Sequence, residues 1–156
     1  MRFFGELTKR FRGTRFGQVQ NAYDNIQTVV LNTMKHTDDP QRWTDRRDLA
    51  ESLTEWSLGA RRATDLSAIA PNYRFYTAGG TEHMILVNIP VEANAGFCSD
   101  NFYAENSAAG LNFRNWTSDM INGGRSLSNT GHWRNATCFP NCIVPPKPGC
   151  LPLLQP

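Results

Sequence analysis

Hydrophobic and polar positions change their period along the chain. From Phe16 onward apolar residues recur at Val19, Tyr23, Ile26, Val30 and Met34, three or four apart. That spacing predicts one core-facing helix over about Gly17 to Lys35, with Gln18, Gln20, Asn21, Asp24, Asn25 and Gln27 on its other face. A second helix is expected over Asp45 to Trp56, capped by Thr44, with Leu49, Leu53 and Trp56 as its stripe and Gly59 as its stop. Ahead of both, residues 2–12 read as a short amphipathic helix with Phe3, Phe4, Leu7 and Phe11 on one side.

At Tyr73 the period becomes two. Tyr73, Phe75 and Thr77 alternate with Arg74 and Tyr76, Gly79-Gly80 offers a φ > 0 turn, and His83, Ile85, Val87 and Ile89 alternate with Met84, Leu86 and Asn88. The pattern predicts a hairpin whose second arm is buried on both faces and ends at Pro90. A short helix is expected from Asp100 to Glu105 and a strand near Leu111 to Trp116. Six prolines between Cys138 and Pro156 make the end an extended, stapled tail. The fold class these elements imply is α+β: N-terminal amphipathic helices packed on a small antiparallel sheet, with a disulfide-stapled irregular C-terminal region. Its divisions are a basic arm over 1–15, a globular domain over 16–137 and a Cys/Pro-rich tail over 138–156.

Composition adds a domain-sized chain of 156 residues, 40% hydrophobic and 19% charged, which is enough for one core. The net charge of +2 is too small for a general nucleic-acid or membrane field. It is unevenly placed: Arg2, Lys9, Arg10, Arg12 and Arg15 against Glu6 give the arm +4 and leave −2 for the rest. Nucleic acid as a partner is therefore expected only through the arm. No apolar run is long enough to span a bilayer, and the N-terminal phenylalanines are too interrupted by charge for a secretory signal. Four cysteines, Cys98, Cys138, Cys142 and Cys150, lie in a Pro/Gly-rich setting and predict two disulfides in an oxidising, extracellular place. Cys98 is expected to join the tail.

Candidate chemistry is thin. A cysteine hydrolase would need Cys98 as nucleophile and His132 as base, oriented by Asn141 or Asp119. Cys138, Cys142 and Cys150 with His132 have spacings unlike the usual zinc knuckle, and no cofactor or metal is expected. His83 reads as a satisfied core residue. No phosphate loop, dinucleotide fingerprint or serine elbow is present. A non-enzymatic assembly subunit is the expectation, with Phe3, Phe4, Leu7, Phe11, Arg10 and Arg12 as its interface to its own kind or to other subunits.

The order of parts from Gly17 to Cys138 resembles the globular domain of type IVb pilins. A long helix with a Gln/Asn-rich face is followed by a Gly-Gly turn, an apolar strand, the corner from Ile89 to Cys98 and a late cysteine. The resemblance implies an extracellular filament subunit with a helix laid on an antiparallel sheet. Met1 to Gly13 is similar to a pilin leader, but the apolar half-helix that follows one in pilins is missing, and Cys142 and Cys150 are extra. The alternative assembly is a virion, with the basic arm turned toward packaged nucleic acid or an inner partner.

Overall fold

A computed structural model describes residues 2–81, 83, 108–123 and 131–143, and the architecture that follows is that of these residues. In chain order the elements are α1 (Arg2–Arg10), β1 (Phe16–Asn21), α2 (Asn25–Lys35), a 3-10 turn (Pro40–Thr44), α3 (Arg46–Ser67), β2 (Tyr73–Ala78), α4 (Phe113–Asn122) and β3 (Ala136–Thr137). The expected mixture of helices and a small sheet holds. The sheet's direction does not: its order is β1-β2-β3, and both pairings are parallel. Phe16 pairs with Tyr73 and Asn21 with Ala78 in unbroken register. Parallel neighbours need a long crossover, and here α2 and α3 supply it.

The helix expected from Gly17 is the largest correction. Phe16 to Asn21 is a strand, and the helix begins only at Asn25, behind an Asp24 cap. The spacing of three between Phe16 and Val19 continued the helical count by coincidence. In the strand, Gly17 and Val19 share one face, while Phe16, Gln18 and Gln20 share the other. A Cβ on Gly17 would overlap Met120 and Trp116, so the missing side chain lets α4 lie close on that face. The stripe fails in α2 as well. Val30 and Met34 are exposed, and the buried residues are Asn25, Thr28 and Asn32.

The second helix runs on through Gly59 to Ser67, and Asp45, not Thr44, caps it by accepting from the Arg47 and Asp48 amides. Leu111 to Trp116 is no strand. Asn112 caps α4, whose Phe113 and Trp116 are buried. Gly79-Gly80 does not form an expected hairpin turn but runs beside the end of β1. The strand expected over 84–89 and the helix over Asp100 to Glu105 lie outside the described residues.

All six residues of β2 are buried, which makes it the centre of the fold. Tyr76 meets the rings of Phe113 and Trp116 at 5.0 and 5.8 Å, and its hydroxyl donates to the Leu111 carbonyl at 2.6 Å. On the opposite face Tyr73 meets Phe4 of α1 at 5.4 Å. Burial pushes the Tyr73 hydroxyl up to about 12. Trp133 is buried between two guanidinium groups, Arg15 at 4.7 Å and Arg74 at 5.1 Å. Cys138 follows β3 directly and is bonded to Cys142, so among the four cysteines only Cys150 is left for Cys98. Neither Cys98 nor Cys150 lies within the described residues.

Candidate active site

In a parallel sheet every strand ends on the same side, and the loops leaving those ends form the natural site. Here the end of β1 continues beside the end of β2. The Ala22 amide donates to the Ala78 carbonyl at 2.8 Å, Tyr23 to Gly80 at 3.1 Å and Asn25 to Thr81 at 2.9 Å. These bonds set the loop after β1 in register with the loop after β2.

The register brings Asp24 and His83 together. Asp24 is buried, and His83 Nδ1 lies 2.9 Å from its Oδ2. The carboxylate only accepts, so the proton of that bond sits on Nδ1. Oδ1 is held separately by the Gln27 amide at 2.9 Å, which makes Asp24 the N-cap of α2. The positive end of α2 stands behind the carboxylate. Asp24 is thus fixed from two sides, while the imidazole is partly open: its side chain keeps 38% of its surface against 6% for Asp24. Asp24 is the one hydrogen-bond partner of the His83 ring among the described residues.

The third strand's loop closes over the same end of the sheet. The Cys138 amide donates to the Thr77 carbonyl at 3.0 Å, extending β3 by one residue. The chain then turns through the Cys138–Cys142 bridge and a cis Phe139-Pro140 bond to reach Gly79. A Cβ on Gly79 would overlap the Ile143 carbonyl oxygen, so this close crossing requires glycine.

The residues singled out in sequence are placed elsewhere. Phe3 and Phe11 of the arm are exposed, Phe4 and Leu7 are half-buried, and Arg10 and Arg12 are exposed, with Arg10 over the Phe11 ring at 5.8 Å. The arm is also tied to the domain, because the Asn72 amide donates to the Thr8, Phe11 and Thr14 carbonyls. His132 is exposed and does meet Asp119, whose Oδ2 accepts from its backbone amide at 2.7 Å and lies 3.2 Å from Nδ1. The nucleophile weighed with it, Cys98, lies outside the described residues. His83 is no core residue, contrary to the sequence reading, and Asp24 belongs to no exposed helix face. Chain comparison finds no matching protein family, curated protein or solved structure.

Proposed function

We propose that this chain carries the acid–base half of a nucleophilic hydrolase, with His83 as the base and Asp24 as the group that orients it. The observation that carries this reading is the 2.9 Å contact between Asp24 Oδ2 and His83 Nδ1, made at the carboxyl ends of adjacent parallel strands. A carboxylate on Nδ1 leaves Nε2 unprotonated and outward, the arrangement a triad base needs. Asp24 precedes His83 in sequence, and every serine, threonine or cysteine outside the described residues follows both, the order of carboxylate, histidine and nucleophile that subtilisin also takes.

No serine, threonine or cysteine among the described residues bonds the His83 ring, so the reading requires a serine, threonine or cysteine nucleophile from the rest of the chain. In the reaction its hydroxyl or thiol proton passes to Nε2 as the oxygen or sulfur attacks an ester carbonyl. The same proton is then given to the departing alcohol, and water repeats the cycle on the acyl intermediate. Through both steps Asp24 holds the ring in place and stabilises the imidazolium.

Hydrolysis of a small activated ester, p-nitrophenyl acetate, tests the reading. His83→Gln is expected to abolish the hydrolysis. Asp24→Asn should lower kcat by about 10⁴-fold. Equal rates in all three proteins would end the proposal. Nitrogen NMR checks the geometry independently and should show neutral His83 protonated on Nδ1 in the wild type.

One observation favours a second reading, association through the arm. Phe3 keeps 67% of its surface and Phe11 46%, more apolar exposure than a short terminal helix needs. A filament or particle subunit would cover these rings with a neighbour.

A further inference from the structure

At the opposite end of β2 from His83, about 17 Å away along a six-residue strand, α1 and the end of α3 flank an open cavity of about 510 Å³. Its size falls within the range of small-molecule sites, roughly 300–1,000 Å³. Leu66, Ile69 and Pro71 line one side, while Gly5, Lys9 and Arg12 line the other. Leu66 keeps 61% of its surface and Ile69 81%, so this wall offers apolar area that the described residues leave uncovered. The opposite wall is fixed in place, because the Asn72 amide bonds the Thr8, Phe11 and Thr14 carbonyls. The site is preformed.

The charge at its edge is positive. Arg12 makes no ion pair among the described residues, and Lys9 pairs with Glu6 at 3.1 Å, with side chains 74% and 73% exposed. A pair so exposed contributes little and exchanges readily. An apolar trough with two cations at its edge is complementary to a chain that ends in one negative charge.

We infer that the cavity between α1 and α3 binds a carboxylate amphiphile, a medium-chain fatty acid, with its chain along Leu66, Ile69 and Pro71 and its carboxylate at Arg12 and Lys9. This site is separate from Asp24 and His83 and does not depend on their role.

Gly5 supplies the test. A Cβ built there meets nothing within 4 Å, so a larger side chain enters open space in the cavity. It should not disturb the helix, where glycine is a poor former. Calorimetric titration of the full chain with dodecanoate, below its micelle-forming concentration, should show one saturable site. Gly5→Leu should weaken it by roughly tenfold or more with an unchanged or raised melting temperature. If that variant melts lower than the wild type, Ile69→Asp, at an exposed position, takes its place. Arg12→Gln combined with Lys9→Gln should weaken dodecanoate but not dodecanol. Absence of saturable binding, unchanged affinity in Gly5→Leu (or in Ile69→Asp where that replaces it), or equal affinity for dodecyltrimethylammonium would each overturn the inference.

Discussion

Asn72 donates its side-chain amide to the carbonyls of Thr8, Phe11 and Thr14 at 3.3, 3.0 and 2.9 Å. The amide has two N–H groups, so one of them is shared. The residue is buried. Asn72→Ala should therefore cost about 1–3 kcal/mol, the penalty of buried polar groups left without partners, as measured by urea denaturation. The two residues of the proposed site were unequally legible at this scale. Asp24-Asn25-Ile26-Gln27 has the spacing of a capping box, a local signal for the start of α2 that the longer helical count overrode. His83 carried no such signal. Its partner is 59 residues away in sequence, and only the strand register unites them.

Between α2 and α3 the contact is polar where an apolar stripe was expected. Buried Asn32 donates to the Arg42 and Trp43 carbonyls at 2.9 and 3.0 Å and accepts from the Ser52 hydroxyl at 3.0 Å. On α2 periodicity points to the wrong face, because it counts apolar residues and the buried positions are Asn25, Thr28 and Asn32, whereas on α3 Leu53 of the expected stripe is buried beside Ser52 and Ser57. For α4 the signal was present: Phe113, Trp116 and Met120 recur at helical spacing behind Asn112. The short aromatic-rich run resembles a strand until Asn112 is counted as its cap. At the other end of the seam, Arg42 holds Asp48 through two bonds, Nε to Oδ2 at 2.8 Å and a second nitrogen to Oδ1 at 2.7 Å. The hydrogen bonding from Arg42 is the main cause that holds the Asp48 carboxyl below its ordinary value. The folded state thus releases this proton at lower pH than the unfolded chain does. The resulting stability is present above the ordinary carboxylate pKa of about 3.9 and is lost as pH falls through the folded value. Asp48→Asn should accordingly flatten this part of the pH dependence of urea midpoints below about pH 4, while at pH 7 it lowers the midpoint.

Across the whole molecule, helices cover both faces of a parallel sheet, and the loops at one end of that sheet are held by each other. The composition of the fold was legible from alternation at Tyr73 to Thr77 and from the helical runs. Strand direction was not, since a Gly-Gly pair after a strand is as compatible with a tight crossing as with a hairpin. The loop after β3 joins that closure through Cys138–Cys142. Replacing both cysteines by serine should cost on the order of 2 kcal/mol for so short a loop, read as a lowered denaturation midpoint that reductant no longer shifts. Parallel pairing also bears on the order in which the molecule is made. β1 cannot find its described neighbour until Tyr73 to Ala78 have been synthesised, by which time α2 and the 22 residues of α3 have already been made. Distant pairing of this kind closes a long loop before any contact rewards it, so the strand forms late and slowly relative to the helices. His83 then meets Asp24 only when that pairing is complete, and its imidazole resonance would report the closing of this strand pair.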